Sequence, residues 1–124
     1  MEASPNTVLV VEDDRSMRLL CRINLELEGH RVLEAGTIPD ARELLASEKI
    51  DFVLLDVHVG GESGYDLIET IRDQQQQAAI ALITGSAEVG SNERALVDAV
   101  LPKPFELEDL SSAVNRHLGT TAER

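Results

Sequence analysis

Phe52-Val53-Leu54-Leu55-Asp56 is the most apolar run in the chain, and it closes on an acid. It is too short for a helix and apolar without alternation, which is the pattern of a strand buried on both faces. A carboxylate at its end would be desolvated and costly unless it met a cation. Further short apolar runs lie at residues 7–11, 32–35, 80–83 and 99–101, and 57 extends the central one. These runs alternate with amphipathic stretches of helical period, which predicts βαβ units and a parallel sheet of five strands with about five helices. In such an α/β sheet, ligands bind outside the carboxyl ends of the strands. Asp13, Asp56, Thr84 and Lys103 each follow an apolar run, so residues far apart in the chain are expected to converge on one site. Two carboxylates, a hydroxyl and an ammonium meeting there can hold a divalent cation and a phosphoryl group.

The first helix is expected over residues 15–28, with Met17, Leu20, Cys21 and Leu27 on its apolar face and Gly29 ending it in the left-handed conformation. Thr37 and Asp40 resemble a capping box, and Pro39 is tolerated in the first turn, where its missing N–H has no intrahelical partner. That second helix should run to about Glu48. Leu67, Ile68 and Ile71 mark a third helix, and Leu107, Leu110, Val114 and Leu118 mark the last, stopped by Gly119. Gln74 to Gln77 reads as a solvated loop, and the stretch 87–98 offers only Ala95, Leu96 and Val97 for a short helix.

At 124 residues the chain has length for one domain, residues 7–119, between ends at 1–6 and 120–124 that are expected to be mobile; no separate output module is expected. Its net charge of −12 repels the phosphates of DNA and an anionic membrane face, so direct binding to nucleic acid and membrane insertion are not expected. Cys21 is the single cysteine and reads as a small buried hydrophobe. With no secretion signal and no apolar run approaching the roughly 20 residues of a membrane span, a cytoplasmic protein is expected.

Glu12, Asp13 and Asp14 follow the first strand, and repulsion between Asp13 and Asp56 would be relieved by a hard divalent ion. Magnesium suits one or two carboxylates, several waters and a phosphate. Lys103, one of only two lysines, precedes Pro104 where its ammonium can reach the same crevice, and Gly85 after Thr84 lets backbone approach a ligand.

The chain resembles a response-regulator receiver domain of the two-component systems, over residues 7–118. The resemblance is carried by Val-Leu-Val-Val-Glu-Asp-Asp at 8–14, Leu-Leu-Asp-Val at 54–57, Gly-Tyr-Asp-Leu-Ile at 64–68, Ile-Thr-Gly at 83–85 and Lys-Pro-Phe at 103–105. It implies a flavodoxin-like, doubly wound (βα)5 fold with strand order 2-1-3-4-5. It also implies phosphorylation of Asp56 by a histidine kinase or histidine phosphotransfer protein, and Mg2+ held by Asp13 directly, by Glu12 through water, by Asp56 and by the backbone carbonyl of His58. Phosphoryl contacts from Thr84 and Lys103, a cis peptide before Pro104, and signalling to a downstream protein target complete the expectation, with no turnover activity beyond loss of the chain's own phosphoryl group.

Three positions depart from the common receiver pattern. Val100 stands where many receivers have the Tyr or Phe whose rotation reports phosphorylation. Thr84 and Lys103 are 19 positions apart, a spacing a few residues short, which predicts a trimmed fourth helix like that of some stand-alone receivers. Gly60 replaces a usual Pro and gives the Gly60-Gly61 loop more backbone freedom. His58 lies two residues past Asp56, within reach of a phosphoryl group, while His30 and His117 read as helix-end or surface residues.

Two other function classes compete. A haloacid-dehalogenase-like aspartyl phosphatase would need an acid where His58 stands and room for a cap. A pseudo-receiver that only binds protein would not require Glu12, Asp13, Asp56, Thr84 and Lys103 together. A flavodoxin-like carrier is disfavoured because the first loop is acidic where a flavin phosphate needs donors.

Overall fold

The computed structural model describes residues 5–85, 90 and 94–118. In chain order the elements are β1 (Thr7–Val11), α1 (Arg15–Leu27), β2 (Arg31–Ala35), α2 (Ile38–Ser47), β3 (Phe52–Asp56), β4 (His58–Val59), β5 (Glu62–Ser63), α3 (Tyr65–Gln74), β6 (Ala79–Thr84), β7 (Ala99–Pro102) and α4 (Leu107–Leu118). Five strands form one parallel sheet in the order β2-β1-β3-β6-β7. This is the expected 2-1-3-4-5 order once the two-residue strands β4 and β5, which pair only with each other, are set aside.

Alternation along the strands divides the core into two layers. Leu9, Val11, Val53, Leu55, Ile80 and Leu82 face one way and pack with Ala41 and Leu45 of α2 and Leu67 and Ile71 of α3. Val8, Val10, Phe52, Leu54, Ala81 and Ile83 face the other way and meet Cys21 and Leu25 of α1 and Leu110 and Val114 of α4. With both faces covered, the strands read as continuous apolar runs. The central β3 is buried from Phe52 to Asp56.

Capping fixes where the helices begin. Asp14 caps α1, its Oδ1 accepting the Met17 N–H at 3.1 Å, and Thr37 Oγ1 accepts the Asp40 N–H at 3.1 Å at the head of α2. Gly29 takes φ +95° after α1, as expected.

Three expectations are corrected. On α1 the buried residues are Cys21 and Leu25, while Leu20 is 51% and Leu27 82% exposed. The helix carries two apolar stripes, and the one containing Cys21 and Leu25 is held toward α4 by the Asn24 Nδ2–H···Oγ bond to Ser111 at 2.9 Å. His30 keeps the helix-end place expected for it, its N–H reaching the Leu25 carbonyl at 3.1 Å in the turn after Gly29, but it is buried and not on the surface, and that burial lowers its imidazole pKa. Gln75 is no solvated loop residue. Its Oε1 accepts the Ile50 N–H at 3.1 Å and its Nε2 donates to the carbonyls of Leu45 and Glu48 at 2.8 and 2.6 Å, closing the end of α2 that helical bonding leaves open.

Arg72 ties α3 to the approach to β7, donating from Nη1 to the Ala78 carbonyl at 2.8 Å and from Nη2 to the Leu96 carbonyl at 3.0 Å and Asp98 at 3.2 Å. The expectations for 1–4, for Gly119 and the tail, and for most of the trimmed fourth-helix segment lie outside the described residues. Among the described residues, no helix is long and apolar enough to cross a membrane.

Candidate phosphoacceptor and metal site

Parallel registration brings the strand ends together. Val11 pairs with Leu55, Asp56 with Ile83 and Thr84 with Pro102, so Glu12, Asp56, Thr84 and Lys103 leave the sheet at one level. The Lys103 N–H donates to the Thr84 carbonyl at 2.7 Å, and the Lys103-Pro104 peptide is cis. Lys103 Nζ then stands 2.6 Å from Asp56 Oδ2 and 3.2 Å from Glu12 Oε1. Only the Asp56 contact has hydrogen-bond alignment, which leaves the buried Glu12 Oε1 without a hydrogen-bond partner. Oxygens of Glu12, Asp13 and Asp56 all lie within 4.8 Å of one another.

Backbone donors hold these acids. The N–H of His58 reaches Asp56 Oδ1 at 2.8 Å, that of Asp14 reaches Glu12 Oε2 at 3.0 Å and that of Gly60 reaches Asp13 Oδ2 at 3.0 Å. Arg18 Nη1 donates to the Glu12 carbonyl at 2.8 Å while its Nε pairs with Glu34 at 3.0 Å, bracing the strand end from α1. Thr84 is buried at the end of β6, with Gly85 after it on the cleft wall. His58 is exposed and borders the same cleft, whose volume is about 580 Å³.

Three carboxylates crowded around one ammonium set the electrostatics. Glu12 is pushed up from 4.5 to about 7, first by burial and then by the Asp56 carboxylate beside it. Asp13, exposed, is held below its ordinary value, chiefly by the Gly60 N–H. Burial acts to strip the proton from Lys103, but the hydrogen bond and charge of Asp56, and then Glu12, outweigh it and raise the ammonium pKa. Burial raises the Cys21 thiol to about 11, so it stays a neutral core residue as its sequence context suggested. A second cleft, about 540 Å³, opens at the amino ends of the strands beside Asn6 and Lys49. Size does not separate the two, but chemistry does. The charges of the second are already paired, Arg31 with Glu48 at 3.0 Å and Lys49 with Asp51 at 2.7 Å.

The profile of the response regulator receiver domain matches residues 8–115. The chain belongs to that family. Among its relatives, the KDP operon transcriptional regulatory protein KdpE of Escherichia coli is 36% identical over 93% of this chain and 54% of its own length. The response regulator MprA of Mycolicibacterium vanbaalenii is 32% identical over 94% of this chain and 52% of its own. The chain thus spans about half the length of the curated relatives it matches. Among solved structures, the Thermotoga maritima response regulator TrrA in complex with Mg(2+)-BeF is 28% identical with a TM-score of 0.82, covering 91% of this chain and 99% of that one. A Burkholderia pseudomallei response regulator with a phosphorylated aspartic acid, calcium ion and citrate is 30% identical with a TM-score of 0.81, over 87% of this chain and 65% of that one.

Sequence reasoning brought Glu12, Asp13, Asp56, His58, Thr84 and Lys103 to this end of the sheet, and the receiver keeps them there. It missed the supports. Gly64 is required because a Cβ there would run into the carbonyl oxygen of Asp56. Its place just before an amphipathic helix was the available signal. Gly60 and Gly61, at φ +57° and +84°, form the two-residue turn of the β4–β5 hairpin, which adjacent glycines flanked by Val59 and Glu62 could have announced.

Proposed function

We propose that this receiver accepts a phosphoryl group on Asp56 from the phosphohistidine of a histidine kinase or histidine phosphotransfer protein, and signals or relays by contact with a downstream protein. The observation that carries the reading is the Lys103 Nζ contact to Asp56 Oδ2, 2.6 Å, beside carboxylates within 4.8 Å of each other at the end of the central strand. One Asp56 oxygen attacks phosphorus in line with the leaving imidazole; a P–O bond forms as the P–N bond breaks, and the electron pair leaves on the ring nitrogen. Lys103 offsets charge on the carboxylate and phosphoryl oxygens, and the Thr84 hydroxyl donates to one of those oxygens.

The residues fit a magnesium ion. Glu12, Asp13 and Asp56 offer hard oxygen ligands, and the buried Glu12 Oε1, which has no hydrogen-bond partner, is an acceptor suited to a cation or to a water bound to one; the resemblance to receivers adds the His58 backbone carbonyl. Bound there, Mg2+ would supply positive charge against the phosphoryl oxygens. The product is a mixed anhydride that water hydrolyses back to the carboxylate and inorganic phosphate, so the phosphorylated state is temporary.

The output route is proposed to be the segment 85–98 and the face around Val100. Val100 packs partly buried against the α2–α3 side of the core, and a β-branched residue has few rotamers to switch between. Amide NMR with and without a phosphoryl mimic locates the response; shifts confined to α1 and α2 would refute this route.

Incubation with a small phosphodonor and Mg2+ followed by intact-mass measurement tests the chemistry. A single phosphoryl adduct is expected in the parent and none in Asp56→Asn. An adduct that persists undiminished in the variant overturns the assignment.

A further inference from the structure

The β4–β5 hairpin reaches across the acidic cleft and holds two of its acids by backbone donors. The His58 N–H bonds Asp56 Oδ1 at 2.8 Å, and at the tip the Gly60 N–H bonds Asp13 Oδ2 at 3.0 Å, across 47 positions of sequence. The hairpin is well founded for this work. His58 pairs with Ser63 and Val59 with Glu62, Val59 is buried in the core, and the Gly64 N–H returns to the Val57 carbonyl at 2.6 Å. Asp13 lies outside the sheet, beyond the buried end of β1. It is exposed, unlike Glu12 and Asp56, and a free Asp side chain on a loop would sample several rotamers, each ordering step costing free energy when a cation binds.

The donor has two requirements. Residue 60 needs an N–H, which proline lacks, and it needs the left-handed backbone at φ +57° that points this N–H at Asp13. Carboxylates that ligate a metal are commonly fixed by a further hydrogen bond on their other oxygen, which presets their direction. Oδ2 is taken by Gly60, and an oxygen of Asp13 lies within 4.8 Å of oxygens of both Glu12 and Asp56.

We propose that Gly60 is a positioning residue for the cation site: its backbone N–H fixes the Asp13 carboxylate in the orientation that binds the metal. This rests on the reading of Glu12, Asp13 and Asp56 as the magnesium site. It makes the hairpin tip a determinant of cation affinity, although neither glycine at the tip has a side chain.

Calorimetric titration with Mg2+ alone, without phosphodonor, tests it on four variants. Gly60→Pro removes the donor and should weaken Mg2+ binding about 10- to 100-fold, the range for losing such a supporting bond. Gly60→Asn keeps the N–H in a residue that tolerates the left-handed region, and should bind close to the parent. Gly61→Ala strains the same turn without touching the donor and should also stay close. Asp13→Ala should lose binding most. Unchanged affinity in Gly60→Pro, or a loss in Gly61→Ala equal to it, overturns the proposal while leaving the metal site standing. Unchanged affinity in Asp13→Ala overturns the metal-site reading itself. Should Gly60→Pro fail to fold, hydrogen exchange at the Gly60 amide decides: slow in the parent and fast in Asp13→Ala is expected, and equal rates refute the bond.

Discussion

Glu12→Gln makes permanent the neutral form toward which the fold pushes this acid. Glu12 is 1% exposed, one of its oxygens accepts the Asp14 N–H, and the other faces Lys103 without an aligned hydrogen bond. Its carboxyl is raised from 4.5 to about 7, by burial first and by Asp56 next. An acid that holds its proton more tightly folded than unfolded contributes stability that is full below pH 4.5 and is lost as pH rises to about 7. At 1.36 kcal/mol per unit the rise corresponds to about 3 kcal/mol; the neighbouring Lys103 ammonium, which favours the ionised form, reduces the expected loss to about 2 kcal/mol. Gln keeps an acceptor for the Asp14 N–H and carries no charge at any pH. Urea unfolding in chelator at pH 5 and pH 8 should therefore show the parent losing stability at the higher pH and Glu12→Gln losing less by about 2 kcal/mol. Mg2+ should restore the parent at pH 8 and help the variant less. Equal pH dependence of parent and variant would show that Glu12 is already ionised at pH 5 and refute the reasoning.

Two other perturbations address the frame around the site. Gln75→Ala strands the Ile50 N–H and the Leu45 and Glu48 carbonyls together, so a loss of about 2 kcal/mol in denaturant unfolding and faster exchange at the Ile50 amide are expected; a loss too small to measure would mean water replaces the side chain at no cost. Arg72→Ala releases the Leu96 carbonyl and Asp98 from α3. Because that ion pair is more than a third exposed, only about 1 kcal/mol of stability should go, while amide exchange at Val97 and Asp98 should quicken clearly; unaltered exchange there would show that β7 alone positions the segment.

The sheet was readable from the chain because both its faces are covered, so each strand appears as an uninterrupted apolar run and its terminal polar residue stands out. Asp56 could be picked out as an acid following Phe52-Val53-Leu54-Leu55, and Lys103 as one of two lysines, at a strand end. What could not be read depends on partners distant in sequence. Two stripes on α1 are apolar, and packing against the sheet and the seam with α4, marked by Asn24 and Ser111, decide that Cys21 and Leu25 go inward. Gln75 lies in a run of glutamines with nothing local to distinguish it; three backbone groups of α2 and the turn after it give it its place. The hairpin uses two residues per strand, too few for any periodicity, and its hold on Asp13 is made by a backbone N–H, which leaves no trace in residue type beyond the absence of proline. Sequence patterns report side-chain burial well and backbone donation poorly.

The position of β3 separates two kinds of tolerance to change. Its neighbours β1 and β6 are bonded along both edges, so Asp56 sits on the stretch of backbone that cannot shift without breaking pairing on two sides at once. Substitutions there are felt by the whole molecule. The α3 tether and the approach to β7 are joined to the rest of the molecule by only a few bonds each, and they can be lengthened, shortened or re-tethered while Asp56 stays in register. Change can therefore accumulate in those peripheral segments without disturbing the backbone that carries Asp56, and grafts confined to them are where new surface specificities should be built into this scaffold.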